Sequence, residues 1–278
     1  TIFVLVCIAI IPKSSIAQSI SYEEEILFPE DNFTPGAARD IIKAGNYIFV
    51  YTFKNIIIYS NGTNGLVYQG KVNFTGSFGH FAPFYYNNVL YAPDHKFMAY
   101  DPINQKLFFV TPSMEIKYVS TSDNSFVVQN ITLPADNYPE NMSLHAYVKL
   151  EYNYSENRLY WLVRTLDDNL HSFDSYFGVF EYIVHTENDV DDELIKIHSE
   201  LKDGHSDNQY LLSTFTYDNS SNDIYVCRKF QIEKWAWTQS VGPPNVSVIE
   251  TPHQERNSKM IYLKNRDLLI VFPYLLDP

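Results

Sequence analysis

The stretch that decides the fold is "YNYSENRLYW" at residues 152–161, in which a polar segment leads into an apolar one. Its polar residues favour a turn, because Asn and Asp tolerate the left-handed backbone and hydrogen-bond their own chain. The aromatic and aliphatic residues that follow are typical of a strand on a packed sheet. The stretch therefore predicts a tight polar turn that leads into a buried strand.

Five other ten-residue segments share this pattern when they are aligned without gaps. The sixth position is Asn, Gln or Asp, the eighth is Ile or Leu, and the ninth is Phe, Tyr or Ile. The six segments are 41–50, 83–92, 100–109, 152–161, 217–226 and 262–271. Such recurrence predicts one structural unit that is used several times.

The spacing of the segments indicates a β-propeller. Most steps between them bracket the roughly 40–50 residues of one propeller blade, with loops added. Segments 83–92 and 100–109 lie closer together, so we expect them to share one blade or to form its junction. Asn-Gly pairs within 55–70 and Pro102 predict hairpins between the repeats. Residues 189–202 fit either a short helix or an acidic loop with an outer strand.

The predicted fold is therefore all-β, a propeller of four-stranded antiparallel blades over residues 41–278. We expect four to five blades in an incomplete ring, and a generic β-sandwich is the alternative. Five buried aliphatic residues should each mark the strand of a separate blade: Ile48, Leu107, Leu159, Ile224 and Leu269.

The repeated phrase Tyr-[Asp/Asn]-x-x-x-Asn-x-[Leu/Ile]-[Tyr/Phe]-[Val/Trp] resembles the repeat of secreted β-propellers. These include the low-density-lipoprotein-receptor type, whose strands carry Tyr-Trp-Thr-Asp. Tyr160 and Trp161 match the Tyr-Trp pair, whereas Leu162 and Val163 stand where that type has Thr and Asp. The resemblance covers about residues 40–272 and implies a YWTD-like propeller.

The N-terminus predicts a secretory signal peptide over residues 1–17. An apolar run is followed by Ser15 and Ala17, small residues at the −3 and −1 positions of a cleavage site. The chain begins with Thr1 and shows no basic leading region, which indicates an incomplete N-terminus. Residues 18–40 form a separate N-terminal segment in this interpretation. No other apolar run approaches the roughly 20 residues of a membrane-spanning helix, so the visible chain is expected to be secreted.

Acceptor sequences for N-glycosylation support the same compartment, and several fall in predicted turns where a sugar would be solvated. The candidate acceptors are Asn32, Asn61, Asn73, Asn130, Asn141, Asn153, Asn219 and Asn245.

The formal net charge of −13 argues against nucleic acid or anionic lipid as a partner. It suits cations, basic proteins or calcium-rich surroundings, or it is simply the surface of a soluble protein. Cys227 is the one cysteine outside the signal segment, which excludes an internal disulfide. It would either pair between chains or lie buried just beyond a strand.

The acidic stretch 185–208 is the candidate metal site. Alternating carboxylates supply the oxygen ligands that calcium prefers, although their spacing differs from that of an EF-hand loop. The candidate calcium ligands are Glu187, Asp189, Asp191, Asp203 and Asp207. A hydrated acidic insertion is the alternative. His185, His198 and His205 lie in the same stretch and suggest, as a further alternative, a transition-metal site.

Trp235 and Trp237 fall on one face of a predicted strand. They would either pack in the core or stack on a sugar or peptide.

No hydrolase, metalloprotease or phosphate-binding motif occurs in the sequence. The favoured hypothesis is a secreted non-catalytic glycoprotein that binds an extracellular protein or glycan, or contributes to a calcium-rich or mineralised matrix. The alternative is a secreted calcium-dependent propeller hydrolase, whose ligands would come from separate blades. Inward Asp, Asn, Glu or His residues around a central channel would favour the enzyme, and apolar plugging would favour the binding protein.

Overall fold

A computed structural model provides the three-dimensional structure. It describes residues 3–6, 38–52, 54–63, 65–74, 84–86, 89–91, 95–134, 147–166, 173–185, 191–202, 212–218, 221–228, 231–237, 242–249, 257–263 and 267–273. Within these ranges every regular element is a β-strand.

Four antiparallel meanders of four strands follow one another along the chain. Blade 1 consists of β2 (Asp40–Ala44), β3 (Tyr47–Tyr51), β4 (Asn55–Gly62) and β5 (Gly65–Asn73). Blade 2 consists of β8 (Met98–Asp101), β9 (Lys106–Val110), β10 (Ile116–Ser120) and β11 (Val128–Thr132). Blade 3 consists of β12 (Tyr147–Asn153), β13 (Arg158–Leu166), β14 (Phe173–Ile183) and β15 (Asp192–Lys202). Blade 4 consists of β16 (Leu212–Tyr217), β17 (Ile224–Arg228), β18 (Ile232–Ala236) and β19 (Asn245–Ile249).

The remaining strands form two smaller sheets. Strands β6 (Phe84–Tyr86) and β7 (Val89–Tyr91) pair as an isolated hairpin. Strands β20 (Asn257–Leu263) and β21 (Leu268–Pro273) begin a fifth unit, and β1 (Phe3–Val6) pairs with β21 in parallel. Cleavage after Ala17 would remove β1, and the signal peptide remains a prediction.

The repeated segment is the hairpin between the first two strands of each unit. In blades 2, 3 and 4 and in the fifth unit, its sixth residue has a positive φ, between 46° and 61°. In blade 1 the neighbouring Gly45 takes this role with φ 61°. Asp or Asn at the second position caps the turn: Asp101 Oδ1 accepts from Ile103 N at 2.9 Å, and Asn153 Oδ1 accepts from Ser155 N at 3.1 Å. The left-handed residue is common to all five hairpins, whereas the Asp or Asn at the second position is found only in blades 2, 3 and 4.

In blades 2, 3 and 4 the second strand of the hairpin is buried on both faces, as the continuous apolar runs predict. In β13, Leu159, Trp161 and Val163 face a core shared with blades 1 and 2, while Tyr160 and Leu162 face blade 4. In β17 the alternate residues divide in the same way between blade 3 and the fifth unit. Apolar cores between successive four-stranded sheets are the packing of a β-propeller.

The predicted all-β propeller is therefore confirmed, and the described residues form four blades and two strands of a further unit. Leu107, Leu159, Ile224 and Leu269 are fully buried, each in the second strand of a different unit. Ile48 is half-buried, because its side of β3 packs on a small cluster within blade 1.

The structure decides between alternatives that the sequence left open, and it corrects one expectation. Within segment 83–92, residues 84–86 and 89–91 pair as β6 and β7 and share no sheet with 100–109, which agrees with a position at the junction between blades 1 and 2 in the chain. Residues 192–202 form the outer strand β15, as the second of the two alternatives for this stretch predicts. Cys227 is buried as expected, but it lies within β17 rather than beyond a strand.

Blades 2 and 3 are joined edge to edge in one eight-stranded sheet. Their outer strands β11 and β15 pair in parallel at Ile131 with Asp192 and at Thr132 with Glu193. Over the described part of the chain, no helix is long and apolar enough to span a membrane.

Candidate functional site

Polar side chains from four blades meet along the first strands, which are the inner strands of a propeller. This inner polar belt consists of Asp40 on β2, Lys96 just before β8, Lys149 and Glu151 on β12, and Thr214 on β16. It contains two carboxylates, Asp40 and Glu151, and two ammonium groups, Lys96 and Lys149. The belt is the best candidate for a ligand-contacting surface near the centre of the fold.

Asp40 connects blade 1 to blade 2. Its Oδ2 accepts hydrogen bonds from the backbone nitrogens of Phe97 at 2.8 Å and Met98 at 2.9 Å. Burial raises the pKa of Asp40 to about 6, although these hydrogen bonds and the positive charge of Lys96 oppose the shift. The carboxylate is therefore held in place at a cost in desolvation.

Lys96 connects blade 2 to blade 3. Its backbone forms an isolated parallel bridge with Lys149, in which Lys96 N donates to Val148 O and Leu150 N donates to Lys96 O. Its Nζ lies 2.5 Å from Glu151 Oε2. The side chains of this pair are 34% and 19% exposed, so a ligand at the inner surface can reach both charges.

Lys149 connects blade 3 to blade 4 from a buried position. Its Nζ donates to Phe215 O at 2.8 Å and to Thr214 Oγ1 at 3.3 Å. The Tyr217 hydroxyl completes the same interface by donating to Tyr152 O at 3.0 Å. A buried ammonium requires such partners, because its desolvation is expensive without them.

The belt is suited to holding blades together and to offering one solvent-reachable charge pair. Asp40 and Glu151, its two carboxylates, are each engaged with a neighbouring blade. Among the described residues, no three His, Cys, Asp or Glu side chains converge as a metal site would require. These contacts are those of structural cross-links between blades rather than of a catalytic acid–base pair.

A second polar cluster lies where blades 2 and 3 join, and it centres on Asp192. Lys106 Nζ lies 2.5 Å from Asp192 Oδ2 and 2.8 Å from the Tyr182 hydroxyl, which itself donates to Asp192. Burial opposes ionisation of Asp192, but hydrogen bonds from Lys106, Tyr182 and the His185 backbone lower its pKa. The sequence analysis passed over Asp192 because its partner Lys106 lies in a distant segment.

The predicted calcium ligands are only partly described by the structure. Asp191 is exposed on the segment that leads into β15. Glu187, Asp189, Asp203 and Asp207 lie outside the described residues. The calcium site thus stays a prediction.

The two described histidines of the same stretch make unrelated contacts. The His185 backbone nitrogen donates to Asp192 Oδ1 at 3.1 Å. The His198 ring packs edge-on against Trp235 and Trp237, and burial lowers its pKa. His205 lies outside the described residues.

Trp235 is a core residue, 2% exposed, whose Nε1 donates to Glu233 Oε2 at 2.9 Å. Trp237 is half-buried against the same core, and its Nε1 donates to Gly242 O at 3.0 Å. Both rings are engaged within the protein, which agrees with the first of the two alternatives, packing in the core.

Four predicted glycosylation acceptors are solvent-exposed in strands: Asn61, Asn73, Asn130 and Asn245. Asn153 differs, because it is fully buried and its Oδ1 caps the β12–β13 turn. This makes Asn153 a poor acceptor once the turn has formed. Asn32, Asn141 and Asn219 lie outside the described residues.

Comparisons with known proteins add little to this description. Neither a family model nor a curated protein matches the sequence. A solved protein from Lactobacillus plantarum is 15% identical, with a TM-score of 0.47, over 77% of this chain. The chain spans 55% of the length of that protein.

Two further solved structures show weaker likeness. A functionally unknown protein from Desulfotomaculum acetoxidans is 12% identical with a TM-score of 0.35, over 79% of this chain and 71% of its own. The β-propeller domain of Cps50 (Swd1) from Myceliophteria thermophila is 8% identical with a TM-score of 0.27, over 82% of this chain and 90% of its own. The class of the protein, a propeller built from repeats, therefore rests on its own sheets and cores.

Proposed function

We propose that this chain is a secreted, non-catalytic β-propeller glycoprotein of the YWTD-like kind that binds an extracellular partner or contributes to a matrix. The observation that carries the proposal is the placement of the acceptor sequences: Asn61, Asn73, Asn130 and Asn245 are all solvent-exposed. A glycan at such a position stays hydrated without disturbing the core. The apolar N-terminal segment supports the same compartment.

The inner polar belt contains the carboxylates Asp40 and Glu151, which by their presence alone would favour the hydrolase alternative. The contacts that these carboxylates make favour the binding alternative instead. The carboxylates and the buried lysine of the belt are engaged in contacts between blades, and the pair of Lys96 and Glu151 remains reachable from solvent. The net charge of −13 favours a cationic partner, such as a basic protein or a calcium-rich surface. A preformed surface of this kind suits reversible recognition.

Expression in a glycosylating secretory host tests the proposal. We expect the protein in the medium, with an intact mass that falls on treatment with an N-glycosidase. Peptide mapping should locate glycans at the exposed acceptors and leave Asn153 unmodified. Retention of an unglycosylated chain inside the cell would overturn the assignment.

A calcium titration separates the proposal from the hydrolase alternative. If the protein is a binding or matrix component, it should bind a basic partner and show no hydrolytic turnover in the presence of calcium. Its thermal stability is measured at the same calcium concentrations. Turnover of ester or lactone substrates that disappears with chelator would favour the hydrolase instead.

A further inference from the structure

Three buried polar groups of blade 3 have no hydrogen-bond partner within the described residues: Asn153 Nδ2, Arg158 Nη1 and the Tyr160 hydroxyl. Asn153 and Tyr160 are fully buried, and Arg158 is 8% exposed. A buried polar group without a partner is costly, and a charged one is more so. Most such groups in folded proteins are satisfied, so three of them in one blade call for a partner that the chain itself does not supply.

Strand pairing places the three side chains side by side. Asn153 of β12 is directly opposite Arg158 of β13, and Tyr160 follows two residues later on β13. Residues two apart in a strand point to the same face, so all three lie on the face that packs against blade 4. There the centre of the Tyr160 ring lies 5.2 Å from that of Tyr217, and Arg158 Cζ lies 5.9 Å from the centre of the Trp237 ring. We call these three residues the Arg158 cluster.

The contacts of Asn153 fix the direction of its amide. Asn153 Oδ1 accepts from Ser155 N at 3.1 Å and from Ser155 Oγ at 2.7 Å, so the oxygen is held toward the turn and the nitrogen is directed away from it. Burial raises the pKa of Tyr160 to about 12, and Asn153 and Arg158 oppose this shift. The three groups are therefore close neighbours, although none of them forms a hydrogen bond with another.

Arg158 also lacks the close counter-charge that the equivalent residues of the other blades have. The seventh position of the repeated segment is charged in blades 2, 3 and 4: Lys106, Arg158 and Asp223. Lys106 Nζ lies 2.5 Å from Asp192 Oδ2, and Asp223 Oδ2 lies 2.6 Å from Lys234 Nζ. Arg158 Nη2 is 3.8 Å from Glu156 Oε2, its one ion pair among the described residues. A buried cation requires a closer partner than this.

The chemistry of the cluster selects an anion as that partner. Asn153 Nδ2 and Arg158 Nη1 each carry two N–H donors, and the Tyr160 hydroxyl adds an O–H donor. A water molecule would satisfy some of these donors but would leave the guanidinium charge uncompensated. A small anion satisfies the donors and the charge together. The packing of the cluster against Tyr217 and Trp237 favours a single ion over a larger organic acid.

We propose that the Arg158 cluster binds a small monovalent anion such as chloride between blades 3 and 4. The ion takes the place of the side-chain counter-charge that blades 2 and 4 have at this position of the repeat. It connects β12 to β13 and stabilises the face of blade 3 that packs on blade 4. The inference goes beyond the proposed function, because the cluster requires neither secretion nor a glycan.

The test is urea unfolding of the full chain over a range of sodium chloride concentrations, with sodium gluconate replacing chloride at constant ionic strength. An ion that binds only the folded protein should lower the unfolding constant roughly tenfold for each tenfold rise in chloride above the dissociation constant. Crystals grown in sodium bromide locate the ion directly. An anomalous peak should lie within hydrogen-bond distance of Arg158 Nη1 and Asn153 Nδ2.

Two variants should abolish the chloride response. Arg158→Met keeps the aliphatic part of the side chain and removes the charge and the donors. Asn153→Asp keeps an oxygen that can cap the turn, as Asp101 does in blade 2, and it places a carboxylate beside Arg158. This second variant should be more stable than the wild type in the absence of chloride, because it carries its own counter-charge.

Lys234→Met is the matched control, because it removes the cation of the equivalent ion pair in blade 4. It should lower the stability and leave the chloride response unchanged. Tyr160→Phe should be close to neutral without chloride and should weaken the apparent affinity for chloride, since only one of the donors is lost.

The outcomes decide the inference without touching the proposed function. A wild type whose unfolding constant does not change with chloride would overturn the anion site. Equal chloride responses in the wild type and in Arg158→Met would also overturn it, because the response would then be a general effect of salt. If Arg158→Met fails to fold, the response of Asn153→Asp and the position of bromide give the answer. Secretion and glycosylation are measured separately and stand or fall on their own.

Discussion

Two buried tyrosines show how much the surroundings of one hydroxyl matter. Tyr182 and Tyr160 are both fully buried. The Tyr182 hydroxyl donates to Asp192 and accepts from Lys106 Nζ at 2.8 Å. The Tyr160 hydroxyl makes no hydrogen bond within the described residues, although Asn153 and Arg158 lie nearby. Burial raises the pKa of Tyr160 to about 12, so the group stays neutral at physiological pH.

Removal of each hydroxyl should therefore have a different effect. We expect Tyr182→Phe to lower the free energy of unfolding by about 1.5–3 kcal/mol, the range for hydrogen bonds to charged groups. Tyr160→Phe, the matched control, should change it by less than about 0.5 kcal/mol, since no hydrogen bond is lost. Urea unfolding at constant m-value, in a buffer without chloride, measures both. Equal losses for the two variants would contradict this description of the core.

Asp40 should make the stability depend on pH. Its pKa in the folded protein is about 6, above the usual value of 3.8 for an aspartate, so folding favours the protonated form. The contribution of this group is therefore fully present below about pH 4 and is lost as the pH rises through about 6.

The Asp40→Asn variant isolates this effect because it keeps a side-chain oxygen that can accept from Phe97 and Met98. Relative to the wild type, the variant should gain about 2 kcal/mol of stability between pH 4 and pH 8, with most of the gain between about pH 4 and pH 6. Unfolding curves of both proteins at several pH values supply the difference. A gain in the opposite direction, or none, would show that Asp40 is not desolvated.

At the scale of the strand and turn, each hairpin requires a residue that can adopt the left-handed backbone conformation. Gln105 has φ 52°, and its carbonyl accepts from Thr121 N at 2.7 Å and from Thr121 Oγ1 at 3.0 Å. These contacts tie the turn to the end of β10, so the backbone is poorly able to relax. A β-branched residue at such a φ is strained.

We expect Gln105→Val to destabilise the protein by about 1–2 kcal/mol, while Gln105→Asn should be neutral or slightly stabilising. Gln129→Val on exposed β11 is the matched control, because its backbone is that of an ordinary strand. Thermal or urea unfolding checks all three variants. A similar effect of Val at positions 105 and 129 would show that the turn conformation is not the cause.

The same turns show which parts of the fold the sequence predicts and which it does not. The hairpins and their buried second strands depend on neighbouring residues, such as Asn157 and Leu159, so the repeat predicted them. The contact between Lys106 and Asp192 joins residues 86 positions apart, and the β11–β15 pairing joins Ile131 to the same Asp192. Neither depends on the repeated position that marks a blade. The inner polar belt also depends on which strands become neighbours. The calcium ligands were predicted from the local density of carboxylates in the sequence. That density does not show whether the side chains converge on one point in the folded chain.

At the scale of the whole molecule, the outer strands of blades 2 and 3 are paired with each other. The other described blades pack against their neighbours face to face. The β11–β15 pairing includes Asp192, and Lys106 of β9 reaches across to that carboxylate. The two side chains are only 14% and 3% exposed, so the ion pair is shielded from solvent. We infer that blades 2 and 3 open as one cooperative unit.

Lys106→Met tests this coupling. The substitution leaves Asp192 buried without its cation and should cost about 3–5 kcal/mol, whereas the double variant with Asp192→Asn should recover much of the loss because no buried charge remains. Lys71→Met on exposed β5 is the control and should have almost no effect. Hydrogen exchange should show that β11 and β15 lose protection together in the single variant, while β17 and β18 of blade 4 keep theirs. Loss of protection confined to β9, or an equal loss in every blade, would contradict a shared opening unit of blades 2 and 3.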